Sequence, residues 1–355
     1  MRTKVFPFLV FGMLAAAAIP ASAQYQMQVY GLWHCYTDAC SWASVPNMTT
    51  FDTDNHWIID RNMDNTFHPS VNVVVLSFVD PVKLMNLTSD STTVNGIPIG
   101  MNTSVISYFQ SRGIRVMMSV GGFSFISHWE KALKANPTQL GINAANAAKQ
   151  FNVGMEIDYE KSSGPNLAGL QKFVSAYRSV VPYDPTGANY AARLTIDIGD
   201  GDTYLTALAS YAATNWLNTS APVLDYANAM VASQNTSVAT LETGWQQHVQ
   251  GTSSVPPVAP AKLTGSLWVV ANSPSPNCIG PFSSSDQETG YNFVSTIPPS
   301  GSGTSSGMLG YMFWGGGCQG NGTVCTYPPN TCQVGTGGGA TTFNIPTGTF
   351  ALRQQ

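Results

Sequence analysis

The order of hydrophobic and polar residues along this chain predicts eight strands that alternate with helices. Near-continuous apolar runs such as Val71–Phe78 are typical of parallel strands that are buried on both faces. Apolar residues at helical spacing precede the third, fourth and fifth strands, in Thr103–Arg112, Leu140–Gln150 and Asn166–Val181. The predicted strands are Gln26–Leu32, Val71–Phe78, Ile114–Val120, Val153–Tyr159, Arg193–Ile198, Tyr226–Val231, Ser266–Ala271 and Met308–Trp314.

Eight strands alternating with helices favour an α/β fold, a closed (β/α)8 TIM barrel. An open doubly wound sheet is the alternative, but no glycine-rich dinucleotide-binding sequence follows the first strand. We therefore predict one domain over residues 24–355. Its last part, from about residue 315, is rich in Gly, Pro and Cys and is predicted to be an irregular, disulfide-containing extension.

The N-terminus has the composition of a secretory signal peptide. Arg2 and Lys4 precede the apolar run Val5–Ile19, and the small residues Ala21–Ala23 supply a cleavage site. The apolar run is too short for a good membrane span. We expect residues 1–23 to be removed and the product to be secreted.

Composition narrows the range of partners and cofactors. Charged residues make up 10% of the chain and the net charge is −4, which argues against binding to nucleic acid or to an anionic membrane. Six cysteines suit an oxidising compartment, and Cys35 and Cys40 are close enough to clip a short loop, while the other pairings stay open. No paired Cys or His pattern indicates zinc, so we expect neither metal nor cofactor. Asn-x-Ser/Thr sequons that a glycosylating host could modify occur at Asn47, Asn86, Asn102, Asn218, Asn235 and Asn321.

Acidic and apolar residues alternate strictly over Gly154–Glu160. In a strand, Glu156, Asp158 and Glu160 share one face and the apolar residues share the other. Three like charges on one face repel one another, which is tolerated most readily where one carboxyl is kept protonated as a proton donor. A solvated strand face is the alternative, and the wholly apolar opposite face argues against it. Catalytic groups in barrels lie at the C-terminal ends of the strands, which makes Glu160 the best placed to meet a substrate.

Four motifs in order along the third, fourth, sixth and eighth strands together resemble family 18 glycoside hydrolases, the chitinases and endo-β-N-acetylglucosaminidases. The eighth strand ends in a tryptophan, as it does in that family. The matching positions are Ser119–Gly122 (S-x-G-G), Val153–Glu160 (against D-G-x-D-x-D-x-E), Leu224–Met230 (against L-D-Y-x-N-x-M) and Trp314.

The resemblance implies substrate-assisted retaining catalysis. Glu160 would protonate the glycosidic oxygen, and Asp158 would accept a hydrogen bond from the N–H of the substrate's 2-acetamido group. Glu156 stands where the family has Asp and would share charge and a proton with Asp158. Trp314 would form the floor under the bound sugar, since an aromatic face suits the C–H face of a pyranose. Further substrate contacts are expected from Met230, Gly121, Gly122 and Tyr311.

Two positions depart from the family pattern. Val231–Ser233 follow Met230 where the family has x-Tyr-Asp, and the missing Tyr normally donates a hydrogen bond to the acetamide oxygen. Losing one such donor slows a reaction by roughly 10²–10³-fold. Gln234 and Tyr311 are candidates to replace it. Val153 replaces the first Asp of the fourth-strand pattern, at its buried end.

Other residues have both a functional and a structural interpretation. Trp33, Phe123 and Trp268 could stack on sugars or simply pack in the core. Asp197, Asp200 and Asp202 lie at or just after the end of the fifth strand and could line the mouth of the barrel. A solvated loop is the better explanation of Asp200 and Asp202.

The sequence therefore predicts a monomeric, secreted hydrolase of chitin or of N-acetylglucosamine-containing oligosaccharides. An endo-β-N-acetylglucosaminidase acting on N-glycans is the neighbouring enzymatic alternative. A lectin-like chitin-binding barrel with little turnover is the alternative from another class. The sixth-strand departures favour the binder, and the intact Asp158 and Glu160 favour the enzyme.

Overall fold

Eight parallel strands close into a barrel in the computed structural model, which describes residues 27–35, 40, 42–60, 65–67, 69–218, 220–230, 237–268, 282, 284–302 and 307–315. The strands follow one another around the barrel in chain order, and the eighth pairs with the first. They are β1 (Val29–His34), β2 (Val73–Val79), β3 (Arg115–Gly121), β4 (Gly154–Asp158), β5 (Leu194–Ile198), β6 (Ala227–Ala229), β7 (Leu263–Trp268) and β8 (Gly310–Trp314). This confirms the predicted (β/α)8 fold.

Helices lie between the strands and around the barrel. Several begin at a residue whose side-chain oxygen accepts hydrogen bonds from the first free backbone N–H groups, as Asn47, Asp80 and Asn102 do. A short antiparallel hairpin joins Thr93–Val94 to Ile97–Pro98. The helices are α1 (Met48–Ile59), α2 (Pro81–Asn86), α3 (Thr103–Gln110), α4 (Ile126–Ala135), α5 (Pro137–Phe151), α6 (Leu167–Val180), α7 (Thr206–Asn215), α8 (Val238–Gln250) and α9 (Ser284–Thr296).

Alternation along the strands sorts the core into two parts. Outward residues such as Met155, Ile157 and Tyr159 belong to the large cluster between barrel and helices. Inward residues form a second, smaller apolar cluster: Val29, Trp33, Val73, Val75, Met117, Tyr226, Leu309 and Met312. Polar inward residues on either side of this cluster divide the barrel interior into layers, as the order Arg115, Met117, Ser119 along β3 illustrates.

Ion pairs lie at the N-terminal end of the barrel. Asp225 accepts from Arg193 Nη1 at 2.8 Å and from Arg178 Nη2 at 3.1 Å. Arg115 donates to the main-chain oxygen of Gly187 at 2.7 Å. This end is therefore occupied by buried charged side chains, which leaves the C-terminal end for a site.

Cys35 and Cys40 form a disulfide, which confirms the expected loop clip after β1. The other four cysteines, the segment 1–23 and the extension beyond residue 315 lie outside the described residues, so the predictions about them stand as predictions. In the described part of the chain, no helix combines the length and apolar composition needed to cross a membrane.

Candidate active site

The acidic residues of β4 lie at the C-terminal end of the barrel. Glu156 and Asp158 are inside it, with only 1% and 3% of their surfaces exposed. Glu160 follows the strand by two residues and is partly exposed. Glu156 and Asp158 are alternate residues of the strand, which are about 6–7 Å apart on one face, and Glu160 follows them toward the outside.

Glu156 is held by donors from two other strands. The Trp33 indole N–H of β1 donates to Oε1 at 2.8 Å, and the Asn228 amide of β6 donates to Oε2 at 2.7 Å. Ser119 of β3 is its neighbour in register. Burial raises the pKa of Glu156, and these hydrogen bonds oppose the rise because they favour the ionised form.

Asp197 of β5 completes the acidic cluster, which we define as Glu156, Asp158 and Asp197. It is 1% exposed, and its carboxyl lies beside that of Glu156, since one amide group donates to both. Burial raises the pKa of Asp197 well above its ordinary value, and the negative charges of Glu156 and Asp158 raise it further. The sequence suggested Asp197 for the mouth of the barrel; the structure has it inside.

Asn228 links the two acids. Its Nδ2 donates to Glu156 Oε2 and, at 3.1 Å, to Asp197 Oδ1. The amide is oriented from its other side by Thr264 of β7, whose hydroxyl donates to Asn228 Oδ1 at 2.7 Å. Because the carbonyl oxygen accepts from Thr264, the amide N–H groups face the carboxylates. Asn228 is therefore a site residue that the sixth-strand motif contained and that sequence reasoning left without a role.

Glu160 is held from the loop after β5. The Tyr204 hydroxyl donates to Glu160 Oε2 at 3.2 Å and lies 3.3 Å from the main-chain oxygen of the same residue. The residues on either side of Glu160 are anchored outside the barrel, because Tyr159 and Lys161 both donate to the carboxylate of Glu130. The loop that carries Glu160 is thus fixed on both sides.

Gly121 and Gly122 support the end of β4. The main-chain oxygen of Asp158 accepts from the Gly122 N–H and from the Trp129 indole N–H, both at 2.9 Å. A Cβ atom on Gly121 would lie 2.0 Å from that oxygen, and one on Gly122 would lie 2.8 Å from the ring of Phe78. Both glycines have φ in the left-handed region, at 116° and 90°. Close packing therefore accounts for them, and substrate contact stays a prediction.

Aromatic rings lie beside the acidic cluster. Trp314, at the C-terminal end of β8, is partly exposed, and its ring centroid is 5.8 Å from that of Phe78 and 6.3 Å from that of Trp33. Since Trp33 also donates to Glu156, the ring of Trp314 is one side chain away from the acids. Trp314 and Glu156 thus both contact Trp33, and the role of Trp314 as a floor under the sugar stays a prediction.

Tyr311 is not part of this site, which corrects its prediction as a substrate contact. Its ring is fully buried on the outer face of β8, 4.7 Å from the Phe313 centroid and 6.0 Å from that of Trp245. The physical reason is strand alternation: if Met312 and Trp314 point inward, Tyr311 must point outward.

The remaining candidates occupy different positions. Met230 follows β6, is partly buried and donates its N–H to Ile198 at 2.7 Å. Phe123 is 55% exposed on the loop after β3, whereas Trp268 is 5% exposed and packs against Phe282. Val231–Ser233 and Gln234 lie outside the described residues.

Comparisons with known proteins find similar solved structures and no matching family. No family model matches the chain, and no curated protein does. Among solved structures, a family 18 chitinase from Pseudoalteromonas aurantia is 13% identical, with 80% of this chain and 93% of that chain covered and a TM-score of 0.47. A chitinase from Rhizomucor miehei is 15% identical, with 81% and 93% covered and a TM-score of 0.44. A family 5 glycoside hydrolase from Bacteroides vulgatus is 14% identical, with 81% and 57% covered and a TM-score of 0.48. In fold, the chain is similar to the chitinases of family 18 and to this family 5 enzyme.

Proposed function

We propose that this protein is a secreted glycoside hydrolase that cleaves β-1,4-linked N-acetylglucosamine by substrate-assisted catalysis. The observation that carries the proposal is the arrangement around β4. A partly exposed acid, Glu160, lies just beyond the strand and is held by Tyr204, while the buried Asp158 lies two residues behind it. The C-terminal end of a barrel strand is where such enzymes carry their catalytic groups.

The proposed reaction uses the substrate as its own nucleophile. Glu160 donates its proton to the glycosidic oxygen as the bond from that oxygen to the anomeric carbon breaks. The acetamide oxygen of the same sugar forms a bond to the anomeric carbon, which gives a cyclic cation and retains configuration after hydrolysis. Asp158 accepts a hydrogen bond from the acetamide N–H and stabilises the positive charge that develops. Water then opens the ring, with ionised Glu160 as the base that removes its proton.

Sugar binding is assigned to the aromatic rings at the same end of the barrel. Trp314 offers a partly exposed ring next to Trp33 and Phe78. A flat apolar surface of this kind suits the C–H face of a pyranose. Trp33 is less available as a platform, because it is 2% exposed and its N–H is engaged by Glu156.

One observation favours a binding protein as the second candidate. The sequence Val231–Ser233 lacks the Tyr and Asp that follow the sixth-strand Met in the family it resembles. Without the Tyr donor, the acetamide oxygen loses a group that orients it for attack, and turnover is expected to fall. A barrel of this kind would bind chitooligosaccharides and cleave them slowly or not at all.

Incubation with chitohexaose, followed by mass spectrometry of the products, separates the two candidates. The wild type is compared with Glu160→Gln and with a control, Glu288→Gln, which makes the same change at an exposed position of α9. Cleavage by the wild type and the control, but not by Glu160→Gln, supports the hydrolase. Binding without cleavage by any of the three supports the lectin-like protein. A parallel incubation with an N-linked glycan tests the endo-β-N-acetylglucosaminidase alternative.

A further inference from the structure

Two carboxyl groups are buried in the barrel interior without a positively charged partner among the described residues. Glu156 and Asp197 are each 1% exposed, and neither forms an ion pair with Arg, Lys or His among the described residues. Their hydrogen-bond donors are neutral, namely the Trp33 indole and the Asn228 amide. Two ionised carboxylates in such a place would repel strongly, because the interior screens charge poorly.

The two carboxyl groups lie side by side, because Asn228 Nδ2 donates to Glu156 Oε2 at 2.7 Å and to Asp197 Oδ1 at 3.1 Å. An ionised carboxylate only accepts hydrogen bonds, so two buried neighbours without a cation are best stabilised when one of them is protonated and donates to the other. Glu156 already accepts two short bonds, at 2.8 and 2.7 Å, whereas Asp197 accepts one longer bond at 3.1 Å. Glu156 is therefore better stabilised as the anion and Asp197 is the better site for the proton.

We propose that Asp197 is a positioning residue that holds a proton and donates it in a hydrogen bond to Glu156, so that this pair carries one negative charge instead of two. The groups that face Asp197 are Glu156 and Asp158 from β4 and the neutral amide of Asn228 from β6. The high pKa of Asp197 agrees with this assignment, since burial and both neighbouring charges favour its protonated form.

The proposed hydrogen bond accounts for a Glu at position 156, where the motif has the shorter Asp. A Glu at this position carries its carboxyl one methylene further than the Asp of the motif it matches, which brings it to a partner on the next strand. With the proton on Asp197, only the charge of Glu156 lies behind Asp158. Repulsion on an ionised Asp158 is then smaller, which favours the form that accepts a hydrogen bond from the acetamide N–H. This consequence rests on the proposed function, whereas the location of the proton does not.

Infrared spectroscopy tests the location of the proton without any substrate. At pH 8 exposed carboxyl groups are ionised, so the carbonyl band of a protonated acid reports buried acids only. The measurement is made in a Glu160→Gln background, which removes the contribution of the proposed proton donor. We expect a band at pH 8 that shifts in D2O and that Asp197→Asn eliminates. Persistence of the band in Asp197→Asn, or its absence in the parent protein, would overturn the proposal.

Two further variants keep the test sharp. Thr195→Val is the control, because Thr195 is fully buried on the same face of β5 and its hydroxyl has no hydrogen-bond partner in the described structure. It should leave the band intact, and loss of the band in this variant would contradict the assignment. Glu156→Gln removes the neighbouring charge and supplies an amide donor. We therefore expect Asp197 to ionise at a lower pH, so that the band is absent at pH 8. An unchanged band at pH 8 would contradict the pairing.

Hydrolysis of chitohexaose supplies the separate functional readout. Asn is close in shape to protonated Asp and can donate to Glu156, so Asp197→Asn should keep kcat/KM within about threefold of the wild type at neutral pH. Asp197→Ala removes the donor and should lower kcat by tenfold or more with little change in KM. A tenfold loss in Asp197→Asn would overturn the positioning role. If the wild type shows no hydrolysis, the proposed function fails while the infrared result still decides where the proton is.

Discussion

The hydrogen bond from Trp33 to Glu156 is the contact on which the acidic cluster most visibly depends, and Trp33→Phe removes it. The bond is 2.8 Å long between side chains that are 2% and 1% exposed. A hydrogen bond to a charged group contributes about 1.5–3 kcal/mol. The smaller ring also loses packing worth about 1 kcal/mol, which brings the expected loss to about 2.5–4 kcal/mol in the free energy of unfolding.

The loss should depend on pH, because the indole N–H stabilises the ionised form of Glu156. Chemical denaturation is carried out at pH 8 and pH 5, and the loss is expected to be larger at pH 8. Trp216→Phe is the matched control: Trp216 is fully buried, and its indole N–H donates at 2.8 Å to the neutral amide oxygen of Gln171. Its loss should be the same at both pH values.

A double-mutant cycle that combines Trp33→Phe with Glu156→Gln measures the interaction free energy between the two side chains. Trp33→Phe should cost at least about 1 kcal/mol less in the Glu156→Gln background than in the wild type, whereas Trp216→Phe should cost the same in both. Additive effects of Trp33→Phe and Glu156→Gln, together with a loss that does not change with pH, would refute the reasoning.

Three other variants test separate parts of the site. Asp197→Asn should flatten the dependence of stability on pH. Because the folded pKa of Asp197 is raised, the unfolded chain releases its proton first, and the free energy of unfolding of the wild type falls by up to about 1.4 kcal/mol per pH unit above pH 4. Parallel stability curves for wild type and variant from pH 4 to 8 would contradict this. Tyr311→Phe should leave hydrolysis unchanged and stability equal or slightly higher, since its buried hydroxyl has no partner in the described structure; a tenfold loss of kcat would return Tyr311 to the site. Tyr204→Phe should lower kcat about tenfold with KM nearly unchanged, because the 3.2 Å bond that orients Glu160 is lost; an unchanged kcat would remove Tyr204 from the account.

Strand alternation explains what the sequence could predict. It assigned the acids of β4 to one face and Ile157 and Tyr159 to the other, and it located all eight barrel strands because each buries an apolar outer face. The seventh strand was predicted at Ser266–Ala271, but it begins at Leu263. Its polar residues Thr264 and Ser266 donate to Asn228 and to the main-chain oxygen of Ala229, and they interrupt the apolar run from which strands were predicted. Residues 269–271 lie outside the described part of the chain.

Contacts between side chains of different strands could not be predicted from the sequence. Asp197, Asn228 and Trp33 meet Glu156 only because the register of the closed barrel brings β5, β6 and β1 to the same height. The clue for Asp197 was available in the strand Leu194–Ile198, where polar residues alternate with apolar ones next to the acidic strand. Tyr204 gave no such clue, because its contact with Glu160 depends on the path of a loop.

The most direct measurement of the central claim is the rate of chitohexaose cleavage by Glu160→Gln relative to the wild type. A general acid contributes about 10²–10⁴-fold, so kcat should fall by at least about 100-fold while the variant keeps its stability and its affinity for the oligosaccharide. Cleavage at the wild-type rate by the variant would contradict the assignment of Glu160 as the proton donor.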